Sequence, residues 1–211
     1  MAQSERTRGR PRKNEIDSVQ AIMDSAVPIF AAKGFDATNL REIADDAGVN
    51  MALVSYNFGS KLDLWKRIIE IIGQKIEAAQ MLLAKTTGFS DPGTTLRAAM
   101  SAYIGFMAAR PDAARFMVRD IDHDPERAQW IYDHVTRRLL DQFLPLIARA
   151  KADGAISAAH PEMTFLQFAF GTAACILRRD RLTQDSPEFS DDGRFRAALH
   201  ATLVEPLFHG D

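Results

Sequence analysis

Residues 38–61 read TNLREIADDAGVNMALVSYNFGSK, and this stretch decides the fold. Thr38 and Asn39 are N-cap residue types ahead of an apolar periodicity, Leu40, Ile43, Ala44 and Ala47. Gly48 follows as the residue that takes a left-handed conformation at a helix end, with Val49 tucked beneath it. Asn50 is a second N-cap and opens a short helix from Met51 to about Phe58; Ser60 caps a third, longer one. Two short helices about a glycine turn form a helix-turn-helix, a unit that lays its second helix in the major groove of DNA.

Outward from this unit the chain reads as helix throughout. Residues 15–33 carry Val19, Ile22, Met23, Ala26, Ile29 and Phe30 on one stripe, and Pro28 predicts a kink or local break there. Downstream helices are expected over residues 60–85, 95–110, 111–119, 125–152, 161–181 and 192–208, with a bend at Pro145. Residues 86–93 and 183–191 are rich in Gly, Ser, Asp and Pro and read as loops. No alternating strand pattern and no repeat is visible. The fold class is all-α, with about nine helices: an N-terminal three-helix head over residues 14–60 and a C-terminal helical bundle over 61–211.

The order of residues resembles the TetR family of bacterial transcription regulators. Phe30 and Gly34 match its first helix and turn; Thr38, Ile43, Ala44, Ala47, Gly48 and Val49 match its central signature; Phe58, Ser60 and Lys61 match its close. The match covers about residues 22–64. It departs where the family often has a leucine-tyrosine pair, here Val54–Ser55 followed by Tyr56, and at Asn57 and Gly59. The resemblance implies that Met51, Ala52, Leu53, Ser55, Tyr56 and Asn57 face the groove, with Arg41 reaching in from the preceding helix. Thr38 joins that DNA-binding set, and Tyr56 and Lys61 are expected on phosphates. Double-stranded operator DNA is the implied partner, and a repressor released by a small molecule the implied function.

Composition is that of a water-soluble globular chain of 211 residues with a net charge of −2. The charge distribution is more telling than the total. Before residue 14, Arg6, Arg8, Arg10, Arg12 and Lys13 oppose only Glu5. Glycine and proline deny this stretch a stable helix, so residues 1–13 are expected to be a disordered basic arm, with Arg10 and Arg12 lying along the minor groove. No apolar run reaches the ~20 residues of a membrane span. The basic N-terminus lacks a signal peptide's apolar core, and the single cysteine, Cys175, excludes a disulfide framework; a cytoplasmic setting is expected.

Two further sites are expected in the bundle. The 161–181 helix has almost no polar side, so it should be buried all round, which a second subunit can achieve. Phe165, Phe168, Ala169, Thr172, Ala173 and Ile176, with Leu199 and Leu203 of the last helix, are expected at a homodimer seam about a two-fold axis. Tyr103, Phe106, Met107, Phe116, Trp130 and His134 are candidate linings for an apolar effector, with Arg119, His134 or Arg138 as partners for a carboxylate on it. The 60–85 helix, with Trp65, Ile68, Ile72 and Ile76, is the expected transmitter between head and body.

No catalytic constellation, cofactor motif or metal-ligand spacing stands out, and the chain reads as a non-enzyme. Asp120, Asp122 and Asp124 imitate the start of a calcium loop, but Pro125 and Ile131 stand where glycine and glutamate are needed. The alternative function is an all-helical carrier or enzyme for an apolar ligand with a vestigial head. Arg41, Tyr56, Asn57 and Lys61 at the DNA-facing positions argue against it.

Overall fold

The computed structural model describes residues 13–87, 91–120 and 124–208; the arm residues Arg10 and Arg12 lie outside them. Among the described residues no strand forms, and Ile156 and Phe208 make one isolated bridge. The head comprises α1 (Lys13–Lys33), α2 (Leu40–Asp46) and α3 (Met51–Phe58). From it α4 (Lys61–Thr87) runs into a body of α5 (Pro92–Ala108), α6 (Pro111–Asp120), α7 (Pro125–Ile131), α8 (Arg137–Ala152), α9 (Pro161–Leu177), α10 (Arg179–Asp185) and α11 (Asp192–Leu203).

The helix starts are where the cap residues set them. Asn39 accepts from the Arg41 amide at 2.9 Å, and Asn50 from the Leu53 amide at 2.8 Å. Ser60 and Asp63 cap α4 reciprocally: the Asp63 amide donates to the Ser60 hydroxyl and the Ser60 amide to the Asp63 carboxylate, both at 3.1 Å. Asp124, at the end of the acidic run, caps α7 through the Arg127 amide at 2.8 Å.

Three features mark the helices beyond their caps. First, α1 remains helical on both sides of Pro28 and α8 on both sides of Pro145. Both prolines are exposed, so water can satisfy the carbonyls whose helical donors they remove. Second, the 161–181 helix breaks at Arg178, and α10 takes over. The Arg179 guanidinium turns back to the Phe189 and Ser190 carbonyls at 2.8 and 3.0 Å and to Asp192 at 2.6 Å, drawing residues 189–192 against it. Third, the 125–152 helix contains a π turn, Tyr132–Thr136, between α7 and α8. This turn presses on α4 at Gly73, where a Cβ would lie 2.6 Å from the His134 carbonyl oxygen. A glycine there lets two backbones touch.

One aromatic chain joins head to body. Phe116 of α6 meets Phe30 of α1 at 5.5 Å and Trp65 of α4 at 5.7 Å between ring centroids, and all three are fully buried. Farther into the body, Tyr103, Phe143, Phe165 and Phe168 pack ring on ring. These large apolar side chains, fully removed from water, supply the main stabilisation, about 1.5–3 kcal/mol each.

Most of the expected seam residues are covered within the single chain. Phe165, Phe168, Thr172, Ala173, Ile176 and Leu199 are buried within the single chain, and Ala169 and Leu203 are half-buried. A helix in mid-body needs no second subunit to cover that face. Besides Glu162 in its first turn, the α9 residues left open are Met163 (66 % exposed), Gln167, Phe170 (44 %) and Ala174, a stripe at helical spacing.

Candidate nucleic-acid interface and effector cavity

In the head, Ile43, Ala44 and Val54 are buried beneath α2 and α3, which turns the opposite faces outward. Gly48 has φ 66° and closes the turn with the Val49 amide on the Ala44 carbonyl at 3.0 Å. The outward face of α3 carries Met51, Ala52, Ser55 and Tyr56, one helix side by spacing, with Tyr56 78 % exposed. Arg41 is exposed on α2 beside it. Leu53 and Asn57 are half-buried, and the Asn57 amide donates to the Leu53 carbonyl at 2.8 Å.

Two expected DNA ligands are occupied elsewhere. Thr38 is buried and its hydroxyl donates to the Gly34 carbonyl at 2.6 Å. The Lys61 ammonium donates to the carbonyls of Phe35 at 2.8 Å, Thr38 at 2.9 Å and Asp36 at 3.3 Å, and lies over the Phe35 ring. Three carbonyls and an aromatic face satisfy that charge, so its work is to lock the α1–α2 turn onto the start of α4.

The same turn is gripped from the body. Arg119, near the end of α6, donates to the carbonyls of Ala32 at 2.8 Å and Ala31 at 3.3 Å, capping the C-terminus of α1. Its Nε lies 2.8 Å from where a Cβ of Gly34 would stand, and Gly34 has φ 83°. Arg127 of α7 lies over the Phe35 ring and pairs with Asp124 at 3.6 Å and Asp36 at 3.8 Å.

Behind α6 lies an apolar cavity of about 60 Å³, room for a few waters. Tyr103, Met107, Met117, Val118, Ile131, Val135, Thr136, Leu139, Phe165, Leu166, Ala169, Phe170 and Ala173 line it, with no charged side chain among them. The hydroxyls of Tyr103 and Thr136 are its polar side-chain groups. Burial pushes the Tyr103 phenol up, so it stays neutral and able to donate.

Of the six candidate linings, Tyr103 and Met107 meet in this cavity. Phe116 is spent on the Phe30–Trp65 cluster and Phe106 lines a separate cleft. Trp130 and His134 stack on each other at 4.0 Å, with the Lys66 ammonium over Trp130. The carboxylate partners are engaged as well: Arg119 on α1, Arg138 on Glu77 at 3.7 Å, and His134 on the Trp130 carbonyl. Aliphatic residues from α6, α7, the π turn and α8 were missed because nothing in their spacing separates cavity from core.

A family described as "Bacterial regulatory proteins, tetR family" matches residues 22–68, and one described as "AefR-like transcriptional repressor, C-terminal domain" matches residues 94–203, more than half of the chain. The chain belongs to the TetR family. Among curated relatives, the HTH-type transcriptional regulatory protein RaaS of Mycobacterium tuberculosis is 29 % identical over 57 % of this chain and 53 % of its own length. The HTH-type transcriptional activator FasR of Mycolicibacterium smegmatis is 28 % identical over 54 % of this chain and 46 % of its own. The chain thus spans about half the length of these relatives. A bacterial regulatory protein in the tetR family from Rhodococcus RHA1 superposes with a TM-score of 0.71 at 20 % identity, over 92 % of this chain and 98 % of that one. At that identity the TetR likeness is one of fold.

Proposed function

We propose that this TetR-family chain is a DNA-binding transcriptional repressor, working as a homodimer and released from its operator by a small, neutral, largely apolar effector. One observation carries the reading. Met117 and Val118 of α6 form a wall of the apolar cavity, and the next residue, Arg119, holds the C-terminus of α1. A ligand that enlarges this small cavity must move α6, and moving α6 disturbs the grip on the head. That makes α6 the transmitter, with α4 following through Trp65 and Phe116.

The exposed face of α3, with Arg41 beside it, suits a major groove. The open α9 stripe, with exposed Ala197 and Ala201 of α11, suits a two-fold partner that brings a second head to a second half-site. The description of the family matching residues 94–203 favours repression. Among the described residues no helix is long and apolar enough to cross a membrane, which agrees with a cytoplasmic setting.

The test is fluorescence anisotropy with labelled DNA from upstream of the chain's own coding region. Saturable binding that competitor DNA of other sequence does not abolish, and that apolar compounds reverse, is expected. Binding no tighter than to unrelated DNA overturns the reading.

A further inference from the structure

A second cavity, of about 340 Å³, lies between head and body. On the same measure it has more than five times the space of the apolar cavity. Asp24, Val27 and Pro28 of α1 form one wall, Ile72 and Lys75 of α4 another, and Phe106 to Ala113 at the α5–α6 corner the third. Val27, Pro28, Ile72, Phe106, Ala109 and Ala113 give it apolar walls, and Asp24, Lys75, Arg110 and Asp112 add four charged side chains.

Its charges are unequally satisfied. Asp24 accepts from the Gln20 amide at 2.7 Å, and Asp112 faces Arg115 at 3.8 Å. Lys75 and Arg110 have no carboxylate within 4.0 Å among the described residues; Arg110 lies over the Phe106 ring, 4.6 Å from its centroid. A cleft with apolar walls, carrying two cations that are not paired with the two carboxylates in its lining, one of them over an aromatic ring, is complementary to a small organic anion with an apolar body.

We propose that this cleft is a second ligand site, separate from the apolar cavity, which takes a small aromatic or alicyclic carboxylate through Lys75 and Arg110. Because α1 supplies one wall and α5–α6 another, an occupant also bridges head and body. The consequence for DNA rests on the regulator reading above, whereas binding itself does not.

Titration calorimetry on the full chain without DNA tests it, with phenylacetate as the probe and phenylacetamide as its neutral counterpart. Phenylacetate should bind, the amide at least about tenfold more weakly, and the double variant Lys75→Gln, Arg110→Gln should lose at least about tenfold in affinity for the acid, since both charge-assisted contacts are gone. Ala169→Leu, which fills the apolar cavity, should leave phenylacetate binding unchanged. Methyl resonances of Val27 and Ile72 should shift on titration while those of Ile131 and Val135 stay in place. Absence of binding at millimolar phenylacetate, equal binding of the amide, an unaffected double variant, loss in Ala169→Leu, or shifts confined to Ile131 and Val135 would each overturn the proposal. Failure of the regulator reading shows in the DNA assay alone.

Discussion

Arg119 donates to the carbonyl of Ala32 at 2.8 Å, so a body side chain completes a helix of the head. The residue before it, Val118, faces the apolar cavity. Arg119→Ala should cost about 1–2 kcal/mol in urea unfolding, since the carbonyls of Ala31 and Ala32 both lose their donor. Its larger effect should be on coupling: an effector that weakens operator binding by the typical 1–3 kcal/mol should lose most of that leverage. Titrating effector with and without operator measures it, since linkage makes the factor the same in both directions. Undiminished coupling in Arg119→Ala would assign the transmission to other contacts.

Arg41 and Lys61 should separate in opposite ways. Arg41 is free on the exposed face, so Arg41→Ala should cost about 1–3 kcal/mol of operator affinity and relax preference at particular bases. Lys61 is consumed by three carbonyls, so Lys61→Met should lower thermal stability yet leave the log-log salt slope of DNA binding intact. A slope shallower by about 0.9, one phosphate contact, would return Lys61 to the DNA.

Ala173 and Ala174 are neighbours on α9 with opposite fates. Ala173 is buried in the chain's own cavity wall, and Ala174 is exposed. Ala173→Glu should therefore strongly destabilise the chain, because it would bury a charge in an apolar wall that offers it no cation. Ala174→Glu should keep its helical circular dichroism and sediment as a monomer. A dimeric Ala174→Glu would remove this stripe from the interface.

Stability should fall in acid through the caps. Hydrogen bonds from Ser60, Thr94 and Arg194 hold the carboxyls of Asp63, Asp91 and Asp191 below the usual range. A carboxyl depressed in the fold stabilises it above its unfolded value, about 4, and that contribution vanishes as pH falls through the folded values. Melting temperature should thus drop below about pH 4, and less steeply in Asp91→Asn, Asp191→Asn, where asparagine still caps but does not titrate. Parallel acid profiles would deny the caps this part.

What was legible in the sequence was whatever is local. Asn39, Asn50, Ser60 and Gly48 announce the head because caps and a left-handed turn act within a few residues of themselves. The intrachain partners of Thr38 and Lys61 were not legible, because they are carbonyls of the α1–α2 turn, as much as 26 residues away from Lys61. Arg119 reaches 87 residues back to Ala32, a separation no periodicity encodes. The apolar pattern of α9 is buried on one side within the chain and open at Met163 and Phe170, because hydropathy marks apolar faces without saying which neighbour covers them. Aromatic residues drew the effector site toward Phe116 and Trp130, while Val118, Val135 and Leu139 looked like any other core.

The π turn at Tyr132–Thr136 puts one residue more into a helical turn than its neighbours hold. In a helix each residue advances the side chains by about 100°. Every residue from Arg137 to Ala152 is therefore rotated, relative to α7, by one step of that dial. Ile131 before the turn and Leu139 after it face the same cavity only under this setting. Winding the same residues as plain α-helix, with none removed, would leave the composition of α8 untouched and turn Leu139 about 80° away from Ile131, presenting a different row of side chains to the cavity. The selectivity of this cavity is thus written in the count of residues per turn as well as in their kind.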